Sequence, residues 1–148
     1  MKTWVFVVLA IISNCWPLSA LGQGYPRDQY GNNAVPLVGT FSGADPGGQT
    51  VTLPGVPGKT TYICGLNVGG LGGTGAATVQ VTVGPLVGNQ TFTFQYSFPS
   101  GNNAVAPVTS GSFSPCIPAN APNTAITVSV GGAAGNTNTQ VNVYGYQL

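Results

Sequence analysis

Apolar and polar side chains alternate one for one through most of this chain, and that period decides its fold class. In "TFTFQYSF" (91–98), Phe92, Phe94, Tyr96 and Phe98 fall on one side and Thr91, Thr93, Gln95 and Ser97 on the other. "ATVQVTV" sets Ala77, Val79, Val81 and Val83 against Thr78, Gln80 and Thr82, and "AITVSV" sets Ile126, Val128 and Val130 against Thr127 and Ser129. In "TYICGLNV" the larger set is Tyr62, Cys64, Leu66 and Val68, which places Cys64 on the face expected to be buried. A period of two belongs to a strand with one dry and one wet side, as in antiparallel sheets.

The stretches between these runs are turn chemistry: "PGVPGK" (54–59), "GGLGGTG" (69–75), "GPLVGNQ" (84–90) and "GGAAGNTN" (131–138). Gly and Asn tolerate positive φ and Pro presets φ, so such links are made with little strain. Strands are expected at about 35–41, 50–53, 60–68, 76–83, 91–98, 108–114, 123–130 and 139–147. Eight short antiparallel strands predict an all-β, two-sheet β-sandwich of jelly-roll type. An immunoglobulin-like sandwich is the alternative, weakened because no Trp follows residue 22 to pack on a core disulfide.

The first 22 residues have a different character. Lys2 precedes an apolar run from Trp4 to Ile12, and Ala20 and Gly22 stand two apart ahead of Gln23. That is the layout of a secretory signal peptide cleaved after Gly22, with Ala20 as second choice. The run is too short to span a bilayer as a helix, and no later stretch is longer. A rival reading takes Cys15 of "IISNC" as a lipoprotein acceptor, a motif that Asn14 fits poorly. Residues 23–34 are expected as an extended leader and 35–148 as the sandwich. The localisation implied is secreted: extracellular, cell surface or periplasm. Export also bears on Cys64 and Cys116, the two cysteines left after the signal. An even count in an exported chain without His favours a disulfide over a metal site. A bridge between them would be worth roughly 4 kcal/mol on the loop-entropy model.

Charge excludes whole classes of chemistry. Beyond the signal the charged side chains are Arg27, Asp28, Asp45 and Lys59, and none follows Lys59. A Ser–His–Asp arrangement is impossible without His, and a pair of catalytic carboxylates has only Asp28 and Asp45 to draw on. Asp45 in "GADPGG" fits a local turn hydrogen bond, and Lys59 in "PGKT" lacks the spaced glycines of a phosphate loop. The chain is therefore read as no enzyme, with no cofactor and no metal. Nucleic acid is excluded as a partner because phosphate binding needs a basic surface.

"GNNAV" occurs twice, at 31–35 and 101–105, and "GTFSG" (39–43) answers "GSFSP" (111–115). The simplest reading is a turn leading into a strand, used twice, with Pro36 and Pro107 suited to sheet edges. As ligand contacts the repeat would supply Asn32, Asn33, Asn102 and Asn103. Tyr144 and Tyr146, on one face of the last strand, add rings that can stack on sugars. Thr78 with Thr82 and Thr91 with Thr93 form a hydroxyl array that could face ice or a mineral.

"GKTTYICGLNV" (58–68) and "SPCIPANAPNTAITVSVGGAAGNTNTQVNVYGYQL" (114–148) resemble a group of small uncharacterised proteins of bacterial and phage genomes. That group carries a K-T-x-Y-x-x-G strand, an I-P-A-x-A-x-N-T-A-I-T-V segment, a G-A-x-N-T-N turn and a G-Y end. The resemblance spans about residues 58–148 and implies a β-sandwich of virion-associated or surface structural type. The signal peptide and the cysteine pair depart from it. The functional expectation is an exported, non-enzymatic structural protein that self-associates or joins other surface or particle proteins. The alternative is a glycan-binding or adhesive module using Tyr and Asn on Gly-rich loops.

Overall fold

The computed structural model describes residues 33–44, 47–132 and 138–148. The expected signal peptide, the leader up to Asn32, Asp45 and most of the "GNTN" turn lie outside the described residues. Eight strands follow: β1 (Val35–Gly43), β2 (Gly48–Leu53), β3 (Thr61–Leu71), β4 (Ala77–Leu86), β5 (Gln90–Phe98), β6 (Val105–Pro118), β7 (Ile126–Gly131) and β8 (Asn138–Gln147). They form two four-stranded antiparallel sheets, ordered β1-β8-β3-β6 and β2-β7-β4-β5. Successive strands cross from one sheet to the other, except for the β4–β5 hairpin. This is the jelly-roll arrangement of a two-sheet sandwich.

The alternating sets pack where the period places them. Val79, Val81 and Val83 of β4 and Ile126, Val128 and Val130 of β7 are buried, facing Ile63, Leu66 and Val68 of β3 and Val141 and Val143 of β8. Such side chains each contribute roughly 1.5–3 kcal/mol on burial. Phe98 and Tyr96 of β5 complete the core edge-to-face, with ring centroids 4.9 Å apart. Turn chemistry also appears as expected: Gly58, Gly88, Asn89, Gly101, Asn103 and Asn123 all have positive φ.

Two departures from strict alternation matter. The register of β3 slips between Ile63 and Gly65 against both neighbours, making Cys64 the extra residue of a bulge. Thr61 and Ile63 point inward before the bulge, Leu66 and Val68 after it. Cys64 and Tyr62 therefore do not join the buried set, which corrects the sequence expectation. A constant period of two carried the phase through a residue that breaks it. The second departure is on β6, where Phe113–Cys116 opposes Cys64 alone, because Ile63 faces Ile117 and Gly65 faces Ser112. The Cys64–Cys116 disulfide joins the two irregularities, with Cα atoms 4.3 Å apart.

The repeated pentapeptide opens β1 and β6, the two edges of one sheet. Proline is tolerated there, so Pro36 and Pro107 sit where a missing N–H costs least. Phe41 and Phe113, the answering aromatics of "GTFSG" and "GSFSP", both pack against the core from these edges.

One end of the sandwich is tied by polar groups inside the core. Thr61 and Gln147 are buried, and both donate to the Pro54 carbonyl, at 2.9 and 2.7 Å. Thr60 and Leu148 exchange backbone hydrogen bonds beside them. β8 is locked between β1 and β3, and close approach there depends on Gly145. A Cβ at this position would run into the Tyr62 carbonyl oxygen and meet Leu53 Cδ1 at 3.1 Å. Gly145→Ala should therefore cost about 3 kcal/mol, at the upper end for overpacking because backbone must move. Urea denaturation of the variant checks this.

Candidate functional site

With the core accounted for, functional contacts must come from the two outer faces and four strand edges. Across β1-β8-β3-β6 the outer face is set by register. Its rows are Pro36–Tyr146–Tyr62–Pro118, Val38–Tyr144–Gly65–Ser112 and Thr40–Asn142–Asn67–Ser110. One end is thus aromatic and the middle carries hydroxyls and amides.

Tyr144 and Tyr146 share this face, as their spacing predicts. Tyr146 stacks on Tyr62, with ring centroids 4.7 Å apart and planes 15° from parallel. Tyr144 is 39% exposed, and its ring lies over Gly65, where a Cβ would strike the phenol oxygen. Tyr62 is the member of this cluster that sequence reading missed, because the bulge at Cys64 hid its outward phase. The Tyr62–Tyr146 pair spends ring faces on each other, leaving Tyr144 as the ring open to a ligand.

The asparagines do not gather around these rings. Asn33 precedes β1 at the end where Pro36 meets Tyr146, while Asn32 lies outside the described residues. Asn102 and Asn103 stand in the β5–β6 turn, where Val105 pairs with Leu71. Leu71 and Tyr62 are opposite ends of β3, about 30 Å apart at ~3.3 Å per strand residue. Asn33 and the second copy therefore lie at opposite ends of this sheet and do not form one ligand site. The second copy has a visible structural task. Gly101 and Asn103 have φ of 116° and 61°, and the turn exchanges backbone hydrogen bonds with Gly72 and Gly73 at 2.7–3.2 Å.

The other outer face is polar from end to end. Its register aligns Thr50–Ser129–Thr82–Thr93, then Thr52–Thr127–Gly84, with Gln80–Gln95 and Thr78–Ser97 beyond. Thr50 and Ser129 share a hydrogen bond of 2.9 Å, and Thr78 and Ser97 one of 3.1 Å. Thr78, Thr82, Thr91 and Thr93 all lie on this side.

The edges differ in how they are guarded. β6 is broken by two register slips and contains Pro107, Pro115 and Pro118. β5 has neither proline nor charge over Gln90–Phe98 and pairs with β4 in unbroken register from Ala77 to Val83. Beside it the two sheets meet through Phe92, 45% exposed, which stands edge-on to Phe113 with centroids 5.9 Å apart. Lys59 is the one charged side chain among the described residues.

Titratable chemistry here is mostly phenolic. Tyr96 donates to the Pro107 carbonyl at 2.9 Å, and burial raises its pKa above the ordinary 10.0. Burial also raises Tyr146, with the neighbouring Tyr62 adding to the shift. A raised folded-state pKa means the unfolded chain releases protons first, so stability should hold from neutrality to about pH 10 and fall above it. Urea midpoints against pH should show that decline, and Tyr96→Phe with Tyr146→Phe should flatten it.

Among the described residues, no three His, Cys, Asp or Glu side chains come together, and no helix is long and apolar enough to cross a membrane. No protein-family model matches the chain, and no curated protein matches it in sequence.

Proposed function

We propose that this chain is an exported, non-enzymatic jelly-roll subunit that works by assembling with copies of itself, as a surface, extracellular or particle-associated structural protein. The observation that carries the reading is the β5 edge: nine residues without charge or proline, paired with β4 in unbroken register from Phe92 to Phe98, with Phe92 itself half-exposed. Open strand edges pair with other chains unless lysine, proline or a bulge prevents it. β6, on the same side of the sandwich, is interrupted by prolines and two register slips, whereas β5 is regular from Phe92 to Phe98. A surface with so little charge also offers little repulsion against a second copy. The reading of the chain as no enzyme rests on residue types, since neither His nor Glu occurs in it.

A glycan-binding module is the second reading, and exposed Tyr144 above Gly65 is what favours it. It is the weaker one because the Asn residues lie away from that ring or outside the described residues. Sedimentation velocity of the oxidised chain over a concentration series tests the assembly reading. Oligomers should grow with concentration, and a monomer throughout would remove it.

A further inference from the structure

The outer face of β2-β7-β4-β5 is not uniformly flat. Where β2 begins and β7 ends it holds an open cleft of about 360 Å³, lined among others by Gly48, Thr50, Gln80, Thr82, Ser129 and Gly131. We propose that this cleft is a binding site for a neutral saccharide, held by the Gln80 amide and the Thr50, Thr82 and Ser129 hydroxyls over a floor of glycine.

The floor depends on missing side chains. Gly48 faces Gly131 across the β2–β7 pair, and its φ is +97°. A Cβ on Gly48 would meet Gly132 N and Val130 O at 2.9 Å, so the position admits no larger residue without movement. Thr50 and Ser129 hold each other's hydroxyls at 2.9 Å, which fixes their orientation beside the floor. Gln80 and Thr82 have no side-chain hydrogen bond to another described residue. The glutamine amide offers two donors and an acceptor carbonyl, and each hydroxyl can do both.

The ligand class follows from the described lining. None of its described residues is charged, so nothing among them selects a phosphate or carboxylate. Its one large apolar lining residue, Val130, is 3% exposed and offers nothing to an apolar ligand. β7 and β4 are hydrogen-bonded on both sides, and a peptide added at the open edge of β2 would lie beside the cleft instead of over the Gln80, Thr82 and Ser129 side chains. Vicinal hydroxyls that donate and accept together are the match for an amide beside hydroxyls, and the volume suits one or two sugar rings, at the small end of ligand sites. This site is separate from Tyr144, which lies on the opposite sheet, and it does not depend on whether the chain assembles.

An amide NMR titration of the oxidised chain with neutral oligosaccharides built on glucose, mannose, galactose and N-acetylglucosamine is the test, beside a uronic-acid oligomer. The site predicts saturable shifts at Gly48, Gln80, Thr82 and Gly131 with at least one neutral sugar. Gln80→Ala combined with Ser129→Ala should weaken that binding by at least about ten-fold, as expected for two lost hydrogen bonds. Ser112→Ala, on the other sheet, should leave it unchanged. The proposal is overturned by silence with every neutral sugar at concentrations on the order of tens of millimolar. It is equally overturned by shifts centred on Tyr144, by preference for the uronic acid, or by binding that survives the double variant with its fold intact.

Discussion

Replacing Cys64 and Cys116 together by alanine should lower stability by about 4 kcal/mol and the melting temperature by about 15 °C. The bridge spans 52 residues of sequence, enclosing β4 and β5 entirely, so removing it releases a long loop in the unfolded chain. It also acts locally. β6 leaves its pairing with β3 over Phe113–Cys116, and the disulfide fixes the end of that excursion to the bulge at Cys64. Phe113 sits within it and closes the sandwich rim against Phe92. The double variant and the reduced wild type should lose similar stability, and the Phe92–Phe113 contact should loosen first. A loss under about 1 kcal/mol would mean that hydrogen bonds and core packing alone hold the excursion.

How much of this was legible in the residues depended on whether the period stayed intact. β4, β5 and β7 carry uninterrupted alternation, and Val79, Val81, Ile126 and Val128 lie inside as read. β3 shows the limit. "TYICGLNV" alternates on paper, but backbone pairing with two neighbours at once places a bulge at Cys64 and turns Tyr62 outward. Nothing local in the sequence marks that slip. The Cys64–Cys116 pairing was legible from the even count and the lack of His, whereas its position at facing irregularities was not. Polar residues in the core were equally hidden. Thr61 and Gln147 are buried because the Pro54 carbonyl needs donors, and that need arises only once β2, β3 and β8 converge. The second copy of the asparagine repeat was legible as a turn leading into a strand, whereas the start of β1 and β6 at opposite edges follows from strand order. For the candidate ligand residues the lesson is similar. Tyr144 and Tyr146 share a face as spacing dictates, whereas the Gln80 cleft draws on three strands and has no signature in any one of them.

The second large effect is expected on assembly. Thr93→Lys should leave the fold nearly untouched and remove self-association. Thr93 is exposed on the outer face near the middle of β5 and pairs with Thr82 on its inner neighbour. Exposed substitutions of this kind usually change stability by no more than about 0.5 kcal/mol. Lysine on an edge strand puts a solvated charge where another chain would have to pair, which is how natural sheets protect open edges. Thr78→Lys is the matched control, since β4 is an interior strand and its charge would oppose association through the face, not through the edge. A contact of the β5 side of one copy with the β1 side of the next would be head-to-tail, giving rings or filaments; β5 against β5 would close as a dimer.

The most direct measurement compares wild type, Thr93→Lys and Thr78→Lys by sedimentation velocity and negative-stain imaging at matched, rising concentrations. The edge account predicts oligomers or filaments for wild type and Thr78→Lys, and monomers for Thr93→Lys at every concentration. Assemblies that persist unchanged in Thr93→Lys, or a wild type that never leaves the monomer, would contradict it.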